Sequence, residues 1–392
     1  MSPTKTTGTV SLKHAPKRLP LLRTSCPRGY IMCLLALAFA SVASGQNPWR
    51  LSLPGWQYEF PRDHFAHSDF KTEWWYFTGN LRDEAGKRYG YQLTFFRQGV
   101  RPIAERGHTT SRFVCDELKF AHFAVSDPNG KHFRFTQKTS RGAFGEAGFA
   151  QGDRIAWIDD WALHLLTDGT MQLGAKMQDA SLALTVKSAK PWAIHGENGV
   201  SQKADGEGRA SHYYSGTRLE TKGRLNLSGR EFAVSGTSWF DQEWASNQLT
   251  PQQVGWNWFA LHLADGTELM LYQMRLRDGG LDPNSSGTVV ATNGATRHLR
   301  RDDYTLTPIR WWTSGATKAR YPVAWQLRIP SLKLEAEINT PLDRQELELP
   351  TIAYWEGMVD FRGSRDGQPL SGEGYMELTG YAGALVGLSQ PQ

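Results

Sequence analysis

The chain has 392 residues, 40% of them hydrophobic and 21% charged, with 39 Gly, 19 Pro, 15 Trp and three Cys. That length can bury one large or two ordinary cores, and the apolar and aromatic content excludes a mainly disordered or coiled-coil protein. The formal charge of +5 is local, because residues 1–45 hold six Lys or Arg and no acid, leaving 38 of the 44 basic residues against all 39 acidic ones; that balance carries no general attraction for phosphate backbones, so nucleic acid is not an expected partner.

Behind the basic stretch from Lys5 to Arg28 runs the apolar segment Ile31–Ala43, followed by the small residues Ser44 and Gly45. It falls short of the ~20 residues that span a bilayer. Basic start, short apolar run and small residues predict an export signal over 1–45 and a secreted or periplasmic protein, with no integral membrane span after cleavage. Cys26 and Cys33 leave with that signal, so Cys115 stands alone and no intrachain disulfide is possible. Period-2 alternation through 112–116 puts Phe113 and Cys115 on one side, which predicts a buried, unreactive thiol.

The stretch from Glu73 to Leu81 is rich in aromatic residues, and Asp83-Glu-Ala-Gly86 separates it from Tyr89–Phe96: strand, turn, strand. The same plan returns as Trp256–Leu263, Ala264-Asp-Gly266 and Thr267–Arg275, with Tyr76-Phe77 matching Trp258-Phe259. A repeat of domain length predicts two related domains, 46–245 and 246–392. Short apolar segments divided by Gly-containing turns fill the space between, with no sustained helical period, so the expected fold is antiparallel sheet closed into barrels or sandwiches. The polar segment 190–208 reads as a surface loop able to cover one end of the first barrel, or as a tolerated insertion.

Thr237–Trp244 packs two carboxylates and two indoles into eight residues. On a strand, Trp239, Asp241 and Glu243 share one face and Phe240, Gln242 and Trp244 the other. An indole beside a carboxyl favours its protonated, proton-donating form; the competing reading is a carboxylate tied into packing by backbone donors or Arg275. In the following hairpin Trp256, Trp258, Ala260 and His262 share a face, as do Glu268, Met270, Tyr272 and Met274. Pointing inward, they would line an apolar cavity for a hydrophobic small molecule; pointing outward, they would form an interdomain surface. Glu73, Trp75, Tyr214 and Glu356 are further candidates for ligand contact, each with core packing as its alternative. The histidines show no zinc spacing and no nucleotide-binding loop is present, so neither a metal nor a cofactor is expected.

The segments Glu73–Leu81, Tyr214–Arg218, Gly236–Trp244, Gly255–Phe259, Asp265–Arg275, Tyr354–Gly357 and Gly374–Tyr381 resemble secreted AttH-like proteins and carotenoid 1,2-hydratases, in order and over nearly all of 55–385. The resemblance implies an all-β protein of two fused lipocalin-like antiparallel β-barrel domains. It also implies hydratase-like or hydrolase-like chemistry on a hydrophobic small molecule: Asp241 or Glu243 would protonate an alkene and water would add, with Trp239, Trp244, Trp256 and Trp258 shaping the cavity. Where the family pattern reads Asp-His-Glu-Trp, this chain has Asp241-Gln242-Glu243-Trp244. Gln carries no titrating proton, and that departure favours a non-catalytic carrier or a chemistry using carboxylates alone. A structural or protein-binding double barrel is the third reading.

Overall fold

The computed structural model describes residues 47–107, 111, 113–350 and 352–383. The export signal expected over 1–45 lies outside the described residues. Among the described residues, regular structure is strand, apart from four one-turn 3-10 helices, and no helix is long and apolar enough to cross a membrane.

The first sheet holds β1 (Thr72–Asp83), β2 (Arg88–Gly99), β3 (Glu117–Asp127), β4 (His132–Ser140), β5 (Ala147–Phe149), β6 (Arg154–Ile158), β7 (Trp161–Leu165), β8 (Met171–Lys176), β9 (Ala180–Ser188), β10 (Ala193–Ile194), β11 (Ser201–Gln202), β12 (Ala210–Leu227) and β13 (Arg230–Ala245). The second holds β14 (Gln253–Leu263), β15 (Glu268–Leu276), β16 (Ser286–Val290), β17 (Thr296–Arg300), β18 (Thr305–Thr313), β19 (Arg320–Ile329), β20 (Leu334–Asn339), β21 (Glu346–Glu348), β22 (Ala353–Arg365) and β23 (Gln368–Leu378). Their orders are β4-β3-β2-β1-β13-β12-β9-β8-β7-β6-β5 and β17-β16-β15-β14-β23-β22-β20-β19-β18, with β10 and β11 added on β12 and β21 on β22. In each sheet the last strand returns to pair antiparallel with the first, β13 on β1 and β23 on β14.

The first sheet curls into a nearly closed barrel. Phe123 of β3 meets Trp161 of β7 edge to face, and Lys138 of β4 reaches Asp159 and Asp160 at 3.1 and 2.5 Å. The second sheet is a curled half-barrel. Both interiors are filled by side chains: Trp75, Phe77, Phe123, Trp161, Phe240 and Trp244 in the first, Phe259, Tyr321, Trp325, Trp355 and Met376 in the second. Full burial of side chains this size stabilises by ~1.5–3 kcal/mol each.

Successive side chains on a strand point to opposite faces, so the residues between these core positions look outward, and here they look at the other sheet. Tyr76, Tyr213, Trp239, Trp258, Met270, Met358 and Tyr375 form a third buried cluster drawn from both sheets. At its rim Asn80 Nδ2 donates to the Gly374 carbonyl at 3.0 Å, and Arg88 pairs with Asp360 at 2.7 Å.

Two expectations need correction. Segment 190–208 is more than a surface loop: Trp192 and Ile194 pack on the core of the first barrel, as a cover would, but β10 and β11 lie on β12, and His195 bridges Ser215 and Thr288, one from each sheet, at 2.6 and 2.8 Å. Cys115 is only half-buried and Phe113 is 81% exposed. That segment precedes β3, where no ladder enforces alternation.

Candidate functional site

Between the two sheets lies a cavity of about 440 Å³. Its walls are the outward faces of β1, β2, β3, β4, β12 and β13 on one side and of β14, β15, β22 and β23 on the other. Trp74, Tyr76, Phe96, Phe120, Trp256 and Trp258 are among its aromatic lining residues. Residues 248 and 249, which join the two sheets, close part of the wall, and Lys203 enters from the segment after β11. A cavity of this size whose exposed wall is mainly apolar, with charged and amide groups set into it, suits small hydrophobic molecules that carry a polar or reactive group.

Asp241 stands on that wall because the β13 register sets it opposite Tyr76 of β1 and Ser215 of β12. Three groups donate to its carboxyl: Trp239 Nε1 at 2.6 Å, Tyr213 Oη at 2.7 Å, and Ser215 Oγ. Tyr213 Oη in turn accepts from Trp258 Nε1 of the other sheet at 3.1 Å. Burial nevertheless pushes the Asp241 carboxyl up to about 7 against those donors, and the charge of Glu243 adds to the rise. Behind Ser215, His195 is neutral because burial holds it well below the ordinary histidine value.

Glu243, two residues on and on the same face, is paired with Lys203 Nζ at 3.1 Å; Lys203 also donates to Ser201 Oγ at 3.0 Å and sits 4.2 Å above the Tyr272 ring. Burial opposes the lysine charge, but Glu243 and Tyr272 hold its pKa above the ordinary value. A third carboxyl enters from the opposite sheet. Glu377 of β23 accepts from Trp256 Nε1 at 2.9 Å, and burial pushes it up to about 7, offset in part by that indole and reinforced by Asp241 and Glu243.

Of the sequence candidates, Asp241, Glu243, Trp256, Trp258 and Tyr272 border the cavity. Trp239 lies directly behind Asp241 as its donor. His262 is buried between the sheets, its Nε2 donating to the Thr217 carbonyl at 2.7 Å. Glu356 is buried beside the cavity and accepts from Tyr76 Oη. Burial, with the charge of Glu377, holds its carboxyl well above the usual range.

Glu73, Trp75, Tyr214 and Trp244 belong elsewhere, on the inward face of the first barrel. Trp75 donates to the His64 carbonyl and stacks on Phe149; Trp244 stacks on His67 with ring centroids 3.7 Å apart. Glu73 is tied to His67 Nδ1 at 2.7 Å, Arg97 Nε at 3.2 Å and Gln242 Nε2 at 3.0 Å, while Tyr214 Oη donates to Gln242 Oε1 at 2.7 Å. The physical reason is parity: β1 and β12 are aromatic on both faces, so alternation alone does not say which face meets the cavity, and it is Trp74, Tyr76 and Tyr213 that do. The same parity turns Gln242 into the barrel end, where it meets Tyr214 and Glu73, and away from the cavity. Arg275 plays no part at Asp241 either; it lies 3.7 Å over the Tyr381 ring.

A family model, AttH-like, matches residues 52–381. The chain belongs to the AttH-like family. The crystal structure of a putative AttH from Nitrosomonas europaea is 37% identical, with a TM-score of 0.75 over 85% of this chain and 99% of that one. Kievitone hydratase from Nectria haematococca shares the AttH-like fold at 14% identity, with a TM-score of 0.66 over 86% of this chain and 98% of that one. The dehydratase asqC of Emericella nidulans is 23% identical over 225 residues, which are 53% of this chain and 61% of the dehydratase, so the chain spans less than two thirds of that relative.

Proposed function

We propose that this AttH-like protein is a hydro-lyase that adds water to, or removes it from, a hydrophobic small molecule held between its two sheets, with Asp241 as the proton donor. The observation that carries the reading is a carboxyl on the wall of an aromatic cavity, held in place by Trp239, Tyr213 and Ser215. Alkene hydration needs a proton delivered to one carbon, and a carboxyl that titrates near neutrality is matched to that work. Positive charge developing on the substrate would face the indoles of Trp256 and Trp258, whose ring faces are electron-rich. The names of two relatives, a hydratase and a dehydratase, agree with this class of reaction.

The test is to identify by mass spectrometry the lipophile that the protein retains on purification, and to follow its conversion in heavy-oxygen water to a product differing by one water. Asp241→Asn is expected to slow conversion by about a hundredfold or more while the lipophile stays bound. With the acid form of Asp241 required, hydration by the wild type falls as pH rises through about 7. An Asp241→Asn protein as fast as wild type would end the assignment to Asp241, and retention without conversion would make the protein a carrier. We also propose export, on the strength of the basic stretch and the apolar run Ile31–Ala43; an intact N-terminus on protein recovered from its cells would refute cleavage there.

A further inference from the structure

The two sheets repeat one plan, and the repeat reaches the acid. In the first, β1 lies between β2 and β13, with β12 next; in the second, β14 lies between β15 and β23, with β22 next. Superposing the plans puts Tyr76 on Trp258, the match already visible in the sequence. Tyr76 faces Asp241 across the β1–β13 ladder, and Trp258 faces Glu377 across the β14–β23 ladder. On their other sides the two acids face Ser215 and Glu356, which are again equivalent positions. Trp239-Phe-Asp241 and Tyr375-Met-Glu377 are therefore the same strand position in the two halves, brought to opposite walls of one cavity.

Resting on the hydro-lyase reading, we infer that Glu377 is the counterpart of Asp241 in the C-terminal half, and that the two carboxyls work as one acid–base pair across the cavity. Their surroundings divide the work. Asp241 is fixed by three donors, whereas Glu377 accepts only the Trp256 indole N–H among the described residues and is half-buried, with an edge open to the cavity. In hydration the O–H bond of protonated Asp241 breaks and its proton forms a C–H bond at one alkene carbon as the C=C π bond opens. Water oxygen bonds the other carbon, and the proton that water sheds goes to the Glu377 carboxylate. One alkene and one water become one alcohol, and exchange with solvent returns the proton from Glu377 to Asp241; dehydration runs the same steps backwards. Burial pushes both carboxyls up to about 7 and the charge of Asp241 adds to the rise at Glu377, so protonated Asp241 and ionised Glu377 coexist around neutral pH.

The pairing is tested without substrate by following the carboxyl carbons of isotope-labelled Asp and Glu by NMR, each signal assigned by its loss in Asp241→Asn or Glu377→Gln. Glu377 is expected to titrate above the ordinary glutamate range and to shift down in Asp241→Asn; an ordinary midpoint that the substitution does not move overturns the pair. On the lipophile that the wild type converts, Glu377→Gln, which can still accept the Trp256 N–H, is expected to lower the rate by about a hundredfold and to flatten the acid limb of the pH–rate profile. Binding of the dye anilinonaphthalene sulfonate should stay at the wild-type level, which separates this loss from unfolding. A rate within about twofold of wild type, or an acid limb that persists, overturns the role of Glu377. If the wild type yields no product, the hydro-lyase reading falls by itself, and the titration still decides whether the carboxyls are coupled.

Discussion

Asp241 and Gln242 are chain neighbours with separate duties. Asp241 looks into the intersheet cavity, while Gln242 looks into the end of the first barrel and holds Glu73 and Tyr214 together at 3.0 and 2.7 Å. In that cluster burial opposes the charge of His67, yet Glu73 and Asp63 hold its pKa above the ordinary histidine value; burial likewise works against the Glu73 charge and is outweighed by His67 and Arg97. Placing the family's histidine there, Gln242→His, adds a ring to a packed, already charged cluster and nothing to the cavity. We therefore expect Gln242→His to leave the rate of conversion within about twofold and the pH–rate midpoint unmoved, while changing the free energy of unfolding by about 1–3 kcal/mol, read from denaturant titration. A large gain in rate would mean that the imidazole reaches the cavity after all. The departure at Gln242, which as sequence weighs against catalysis, lies in the barrel end and outside the cavity.

At the level of strands, hairpins and their repeat were legible because each rests on a local signal: alternation, aromatic and β-branched content, and Asp-Gly or Gly-containing turns. The face of Trp239, Asp241 and Glu243, and that of Trp256 and Trp258, followed from period 2 alone. What alternation could not give was the side of the sheet, since strands buried on both faces carry apolar residues on both; hence Glu73 and Trp75 stood out where Trp74 and Tyr76 line the cavity. Lys203 and Ser215 had no signal of their own. Nor had Glu377, because the two halves differ in length between their opening and closing strands, and it is the ladders that set Tyr375-Met-Glu377 on Trp239-Phe-Asp241. The β13 strand also depends on backbone fit. At Gly236, opposite Leu81, a side-chain carbon would run into the Asn80 carbonyl. Gly236→Ala is expected to cost about 1–3 kcal/mol in chemical denaturation, whereas Gly174→Ala in β8, where a methyl meets open space, should cost nothing measurable. Equal effects at the two sites would show that the β1–β13 contact yields easily.

For the whole molecule, the cavity exists only because two filled sheets turn their second faces toward each other. Each half alone would present a contiguous aromatic and methionine surface, Tyr76, Tyr213 and Trp239 from one and Trp258, Met270, Met358 and Tyr375 from the other. Exposed apolar patches of this kind drive association. Expressed separately, residues 46–245 and 246–392 should each bind anilinonaphthalene sulfonate strongly and elute as aggregates. Expressed together, they should co-elute as a one-to-one complex that quenches the excess dye signal and recovers the lipophile. Neither half alone should retain that lipophile, because Asp241 and Glu377 stand on walls contributed by different halves. If one half stayed monomeric, dye-silent and lipophile-bound, the binding space would have to lie inside a barrel, which the packed interiors oppose.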